Sequence, residues 1–352
     1  MDLVLPNLPE LMNDRQLPQF TAQVDQSDLD RLAEFHRARL AEKSWLARQS
    51  DLRQYLIWSH YQGVEPNHPT SADLCLWLSH MATPGRMNRL KYCPQRHEST
   101  LYAGEALAIR SIRRRHSSVK WYLQQVGPNS SNPAADDLVL QQLAGIVRIL
   151  PSKPKRAPGL TPVELSKVLN AISGDDFIGL RDKLLLSLGF AGALRVSDLA
   201  ALRIEDIRIQ PQGLVLGFEQ RKRKAQFNQI AILAGSDPSR CPKILCQQYL
   251  ALRGWFSGPL FRRANRNGEP TDKALHPTSV ARIITKRGAG NVSLHSPLSG
   301  HSLRRGFIDS ALSTGAPISE VMKISGHQDP KTLMLYLDEI GQFNQHPAQG
   351  LY

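Results

Sequence analysis

No stretch of the 352-residue chain approaches the roughly 18 uninterrupted apolar residues that a membrane span requires. The sequence therefore predicts no spanning helix. Cysteine is scarce. The four present, Cys75, Cys93, Cys241 and Cys246, form no CxxC pair and have no histidine at ligand spacing. That excludes a disulfide framework and a zinc site, and fits incidental thiols in a reducing compartment. A carboxylate cluster suited to magnesium is likewise missing. The opening "MDLVLPNLPELMNDRQ" is acidic and broken by proline, unlike a signal or transit peptide, so the expected location is cytoplasmic.

Acidic residues are also in short supply. The 31 Asp and Glu face 44 Lys and Arg, leaving a net charge of +13. A polyanion is the natural partner of such a chain, through attraction and counterion release. The excess is uneven: Gly85 to Gln124 holds nine basic residues and two acidic ones, whereas the first thirty residues lean acidic. With 41% apolar residues the chain can build two domains with cores of their own.

Residues 1–27 read as a flexible arm, and 28–150 as a helical domain. Within it "DLDRLAEFHRARLAEKSWLARQSDLRQYLIWSHYQG" carries apolar residues at helical spacing, with a break near Lys43 and Ser44. "TSADLCLWLSHMA" opens on Thr70 or Ser71 as N-cap. "EALAIRSIRRRHSSVKWYLQQ" turns Leu107, Ile112 and Val119 to one side, and Arg110, Arg113, Arg114 and Lys120 elsewhere. A cationic face in the most basic part of a basic chain is read as a phosphate-contacting surface. "PSKPKRAPGLTP" (151–162), with four prolines and three cations, reads as an extended linker in which Lys153 and Lys155 can follow a polyanion.

Past the linker, 163–341 reads as a second domain. "TPVELSKVLNAI", the nearly all-apolar "FIGLRDKLLLSLGFAG" and the short "SDLAALRIEDI" are helices. "GLVLGFEQ" and "FNQIAIL" are strands joined by the cationic turn "RKRKAQ", and helices follow from "CPKILCQQYLALRGWF" onwards. The fold class expected is mainly α, with a small antiparallel sheet in the second domain. Residues 342–352 form a tail.

One helix of this domain breaks its own pattern. In "HSLRRGFIDSALSTG", Leu303, Phe307, Ile308, Ala311 and Leu312 share one half of the wheel, yet Arg304 falls inside that half with His301 beside it. A guanidinium there either pairs structurally, runs its stem along the core edge, or awaits an anion. Three other places put polar groups in unusual positions. "GALRVSDL" sets Arg195 in a tight connection, with Ser197 as N-cap. "QRKRKAQ" offers Lys222 and Lys224. "SGHQDPKTLMLYLD" places Gly326 as a C-cap, His327 beyond it, Asp329 and Pro330 opening the next helix, and Tyr336 on the face of Leu333, Leu337 and Ile340. Each alone is weak; a lone Tyr on such a face is usually a core aromatic.

Taken in this order and spacing, these residues resemble the tyrosine recombinase (phage integrase) family. Its marks are Arg followed by Ser and an acid, Lys on a β-turn, His-x-x-Arg, Gly-His, and a Tyr nine residues after that His. Here they are Arg195 with Ser197 and Asp198, Lys222 or Lys224, His301 and Arg304, Gly326 and His327, and Tyr336. The resemblance covers about 160–345 well and extends more loosely to 28–150, which is similar to the family's core-binding domain.

The resemblance implies a site-specific DNA recombinase acting on double-stranded DNA as a homo-tetramer in the synaptic complex, with no cofactor, no metal and no membrane. A bacterial host would make it nucleoid-associated. It implies that Arg195 and Arg304 meet the charge of a scissile phosphate, that His301 and His327 assist, and that Lys222 or Lys224 protonates the leaving oxygen. Tyr336 would be the nucleophile. Type IB topoisomerases, telomere resolvases and a catalytically silent DNA-binding relative remain the alternatives. Asp198 reads equally as an orienting acid and as a first-turn helix acid. The tail 342–352, with Phe343, Leu351 and Tyr352, is expected to dock on a neighbouring protomer.

Overall fold

A computed structural model describes residues 42–93, 98–127, 131–151, 157–219, 227–292 and 297–334. The chain separates into two compact units, dividing between Lys155 and Arg156. The expected arm 1–27 and tail 342–352 lie outside the described residues.

Among the described residues of the first unit, four α-helices surround one core: α1 (Glu42–Gln62), α2 (Ser71–Ala82), α3 (Ile109–Val126) and α4 (Asp137–Ile149). Apolar residues at three-to-four spacing turn one stripe of each helix inward. Leu52, Tyr55, Trp58, Trp77, Leu78, Ile112 and Val119 pack there with almost no exposure. Lys43 and Ser44, read as a break, lie within α1. Thr70, not Ser71, caps α2. Its Oγ1 accepts from the Asp73 amide and Asp73 Oδ2 accepts from the Thr70 amide, a reciprocal capping box.

The all-helical reading of this region needs a correction. Between α2 and α3 runs an antiparallel hairpin of β1 (Arg86–Cys93) and β2 (Glu98–Gly104), with an irregularity between Met87 and Arg89. "RMNRLKYC" draws the eye by its charge and lacks strict alternation, so periodicity alone did not reveal it. Its partner "ESTLYAG" carries the Thr and Tyr that favour a pleated surface.

The second unit is built on α6 (Phe177–Ala191), buried along most of its length as its all-round apolar sequence requires. Around it pack α5 (Pro162–Asn170), α7 (Val196–Ala201), α8 (Pro242–Arg253) and α10 (Ser302–Ser313). A three-stranded antiparallel sheet runs β3 (Ile207–Gln210), β4 (Gly213–Glu219), β5 (Phe227–Leu233). The sequence showed β4 and β5; the four residues of β3 are too few to display a period. A second hairpin, β6 (Arg262–Ala264) with β7 (Pro270–Ala274), interrupts the expected run of helices before α9 (Pro277–Gly288) and α11 (Ile318–Ser325). Inside α6, Asp182 accepts from Arg181 at 2.8–2.9 Å and from Arg287 of α9 at 2.8 Å, so a buried carboxylate ties the two helices.

Residues 157–161, placed by sequence in the linker, belong to this core. Leu160 is fully buried, its amide donates to the Ser302 carbonyl, and Arg305 Nη1 donates to the Ala157 carbonyl. Gly306 makes the crossing possible, because a Cβ there would stand 1.9 Å from the Leu160 oxygen. No described helix is long and apolar enough to cross a membrane, and no described group of His, Cys, Asp and Glu is arranged to hold a metal. Cys241 and Cys246 are buried free thiols, and Cys75 is a half-buried one.

Candidate active site

Two chain reversals and one helix start build the site. Gly192 ends α6, and Ala193 then takes a left-handed backbone (φ 48°), rare for a residue with a Cβ. This tight turn sends the chain into α7, whose N-cap is Arg195. The sequence reading put Ser197 at that cap. Ser197 instead lies inside the first turn, and Asp198 Oδ2 accepts from the Arg195 amide at 3.2 Å. The same oxygen lies 3.8 Å from Arg195 Nη1, so Asp198 both caps the helix and leans on the guanidinium. The Arg195 side chain stays about half exposed, at 47%.

His301 is the N-cap of α10 and exposed, while Arg304 points into the protein, only 5% exposed. The guanidinium has structural partners. Nη1 donates to the Ala193 carbonyl at 2.9 Å, and Nη2 lies 3.1 Å from His327 Nε2 and 3.3 Å from Nδ1. Of the readings the sequence left open for Arg304, structural pairing is present in the folded chain. A backbone carbonyl and a neutral imidazole are themselves uncharged acceptors.

Gly326 ends α11 in the left-handed conformation (φ 66°), the backbone that glycine adopts without strain. The reversal turns His327 back toward Arg304, and Ser325 Oγ lies 2.8 Å from His327 Nδ1. Burial first, then the charges of Arg304 and Arg195, lower His327 from 6.5 to about 4. The ring is neutral at physiological pH.

Arg195, Arg304 and His327 thus form one electropositive cluster around a neutral imidazole. Two guanidinium forks are shaped to receive the oxygens of a phosphate group, and a neutral imidazole adds one donor or one acceptor. Tyr336, Lys222 and Lys224 lie outside the described residues. The chain is described up to their borders: β4 and β5 pair as far as Glu219 with Phe227. A helix resumes at Pro330, and Leu333 is fully buried with Ile308, Leu312 and Val321. Tyr249 of α8 is a core residue whose hydroxyl donates to the Leu260 carbonyl.

In the first unit Arg110, Arg113, Arg114 and Lys120 lie exposed on α3. Arg114 also has a structural partner. It grips the buried Asp51 with two hydrogen bonds of 2.7 and 3.0 Å, joined by Ser118 Oγ at 3.0 Å. Lys153 and Lys155 lie outside the described residues. Sequence reasoning passed over Ser325 and the Ala193 carbonyl. Only the Ser of "SGH", two residues before His327, offered a sign.

The family model described as "Phage integrase family" matches residues 159–341, more than half of the chain. An integrase/recombinase XerD homolog of Selenomonas ruminantium is 30% identical over 322 residues, covering 89% of this chain and 86% of that protein. Tyrosine recombinase XerD of Ralstonia nicotianae is 26% identical, covering 84% of each chain. XerD of Halalkalibacterium halodurans is 31% identical over 192 residues, 53% of this chain and 59% of its own length. Among solved structures, a lambda integrase dimer bound to a core site has a TM-score of 0.53 at 17% identity, covering 91% of this chain and 97% of that one. The Tn1549 transposon integrase in complex with circular intermediate DNA also scores 0.53, at 16% identity over 88% and 93%. These likenesses bear on fold: mainly α with a small antiparallel sheet. The chain belongs to the phage integrase family, the tyrosine recombinases, enzymes that break and rejoin DNA.

Proposed function

We propose that this protein is a site-specific DNA recombinase that cleaves and rejoins double-stranded DNA through a 3′-phosphotyrosyl intermediate. The observation that carries the reading is the meeting of Arg304, His327 and the Arg195 turn, drawn from three separate parts of the second unit. Attack on a phosphodiester raises negative charge on its non-bridging oxygens, and fixed guanidinium donors stabilise that charge without reorganising. Arg195, exposed at the mouth, engages the phosphate first. Arg304 gives it the Nη2 donor that rests on His327 in the DNA-free protein.

In this reading Tyr336 attacks phosphorus, the 5′-oxygen leaves, and Lys222 or Lys224 supplies its proton. His301, at the open start of α10, steadies the phosphate or takes the phenol proton, and His327 donates to an oxygen. The phosphotyrosyl bond conserves the energy of the phosphodiester. A second 5′-hydroxyl can then reverse the attack, so the reaction uses neither metal nor ATP. Residues 28–150 and 157–341 serve as the core-binding and catalytic domains, with 151–156 linking them and four protomers assembling on two sites. Arg110, Arg113, Arg114 and Lys120 meet DNA phosphates, and Lys153 and Lys155 do the same from the linker. The chain would act in the cytoplasm, at the nucleoid of a bacterial host.

The test uses candidate sites sought in DNA flanking the gene as inverted repeats about a short spacer. On a nicked suicide site the wild type should accumulate covalent complex joined through the 3′-phosphate to Tyr336. Tyr336→Phe should bind equally and give none. Covalent product from the Phe variant, or a linkage mapped elsewhere, would overturn the assignment.

A further inference from the structure

His327 is neutral and therefore carries one ring proton, and which nitrogen holds it decides what the ring can do. A guanidinium only donates, so the nitrogen it serves must be bare. Arg304 Nη2 stands nearer Nε2, at 3.1 Å, than Nδ1, at 3.3 Å. Placing the proton on Nε2 would set two donors against each other across that shorter gap. Placing it on Nδ1 leaves the nearer nitrogen free to accept and aims the Nδ1–H at Ser325 Oγ, 2.8 Å away.

Ser325 is only 2% exposed, sits in the last turn of α11, and lies one residue from the left-handed Gly326 that aims the ring. Its hydroxyl can also act in the opposite sense, donating to a bare Nδ1. We infer that Ser325 is a positioning residue that holds the His327 ring and supports whichever tautomer the site requires. In the DNA-free protein Ser325 accepts from Nδ1–H while Nε2 accepts from Arg304. When a phosphate oxygen takes the Arg304 donor, the ring releases its Nδ1 proton to solvent and takes one up at Nε2, with no net change of charge. Nε2–H then donates to the phosphate, and Ser325 donates to Nδ1. This second half rests on the recombinase reading; the first does not.

The experiment is ¹⁵N NMR of the full-length, DNA-free protein labelled at histidine, with the His327 signals identified by their loss in His327→Asn. The wild type should show a protonated Nδ1 and a bare Nε2. Ser325→Ala, which removes one buried oxygen and should fold with a modestly lower melting temperature, should give a mixture of tautomers. Ser325→Thr should restore the single pattern. On the suicide site Ser325→Ala should cleave roughly 10- to 100-fold slower at unchanged DNA affinity, and Ser325→Thr should recover most of that loss. An unchanged ¹⁵N pattern in Ser325→Ala overturns the assignment of Ser325. A changed pattern with unchanged cleavage overturns its service to the reaction. If the wild type itself forms no covalent product, the recombinase reading fails while the NMR comparison still judges Ser325.

Discussion

Arg304 and Ala193 stand 111 residues apart in the chain and meet at 2.9 Å, guanidinium to carbonyl. The contact joins the start of α10 to the turn that presents Arg195. It holds in the region where Ala193 adopts a left-handed backbone that costs about 1 kcal/mol or more for a residue with a Cβ. In the proposed reaction Arg304 therefore has two tasks, fixing the turn and meeting the substrate's charge.

Replacing Arg304 separates those tasks. Arg304→Ala should lower cleavage on a suicide site by about 10²- to 10³-fold, the usual effect of losing one donor to a developing oxyanion. It should also lower the melting temperature, because the Ala193 carbonyl loses that donor. Arg304→Lys keeps the charge but cannot reach the carbonyl and the imidazole as a rigid fork. It should retain most stability and little cleavage. Single-turnover covalent-complex formation and thermal melts together check both outcomes.

Acid should weaken the fold through His327. Held near 4 in the folded chain against an ordinary 6.5, its ring takes up a proton more readily once the chain unfolds. Between those values the unfolded state binds more protons, so the stabilising contribution is complete above pH 6.5 and is lost as pH falls toward 4. His116 and His80, both lowered chiefly by burial, act in the same direction. The melting temperature of the wild type should decline across this window, and that of His327→Gln should decline less. Equal slopes would show that His327 does not titrate there.

Two glycine substitutions should act with opposite sign. Gly306→Ala would drive a Cβ to 1.9 Å from the Leu160 oxygen, and should destabilise by about 3 kcal/mol or more as α10 is pushed off the 157–160 segment. Gly145, within α4, has nothing within 4 Å of an added Cβ, so Gly145→Ala should stabilise by about 0.5–1 kcal/mol through helix propensity. Denaturant titration of the two variants decides the matter.

The arginines of α3 should divide into two classes. Arg110→Ala and Arg113→Ala remove exposed cations, and should leave the melting temperature unchanged while reducing the salt dependence of DNA binding by about one unit each. Arg114→Ala takes two hydrogen bonds from Asp51, which is only 1% exposed, and should cost about 2 kcal/mol of stability. Salt-dependent binding curves alongside melts distinguish them. An Arg114 variant as stable as the wild type would show that its pairing with Asp51 contributes nothing to the fold.

The sequence by itself determined the elements whose signal is local. Helical spacing in α1 to α4 and the all-apolar run of α6 state which faces must leave water. The Gly before His327 marks a helix end, since left-handed backbone suits glycine. The order of Arg195, His301, Arg304, His327 and Tyr336 resembles the pattern that marks the phage integrase family, and that resemblance is legible without a structure. What the tertiary structure decided is who meets whom. Arg110, Arg113 and Arg114 look alike on a helical wheel, and only the approach of α1 brings Asp51 to one of them. Arg304 looks unpartnered along α10, and only the folded turn at 192–195 carries the Ala193 carbonyl to it. Ser325 looks like a helix residue until Gly326 reverses the chain and lays His327 against it. Hairpins β1–β2 and β6–β7 escaped notice for the same reason: a short strand is defined by its partner's hydrogen bonds, which a one-dimensional period does not contain.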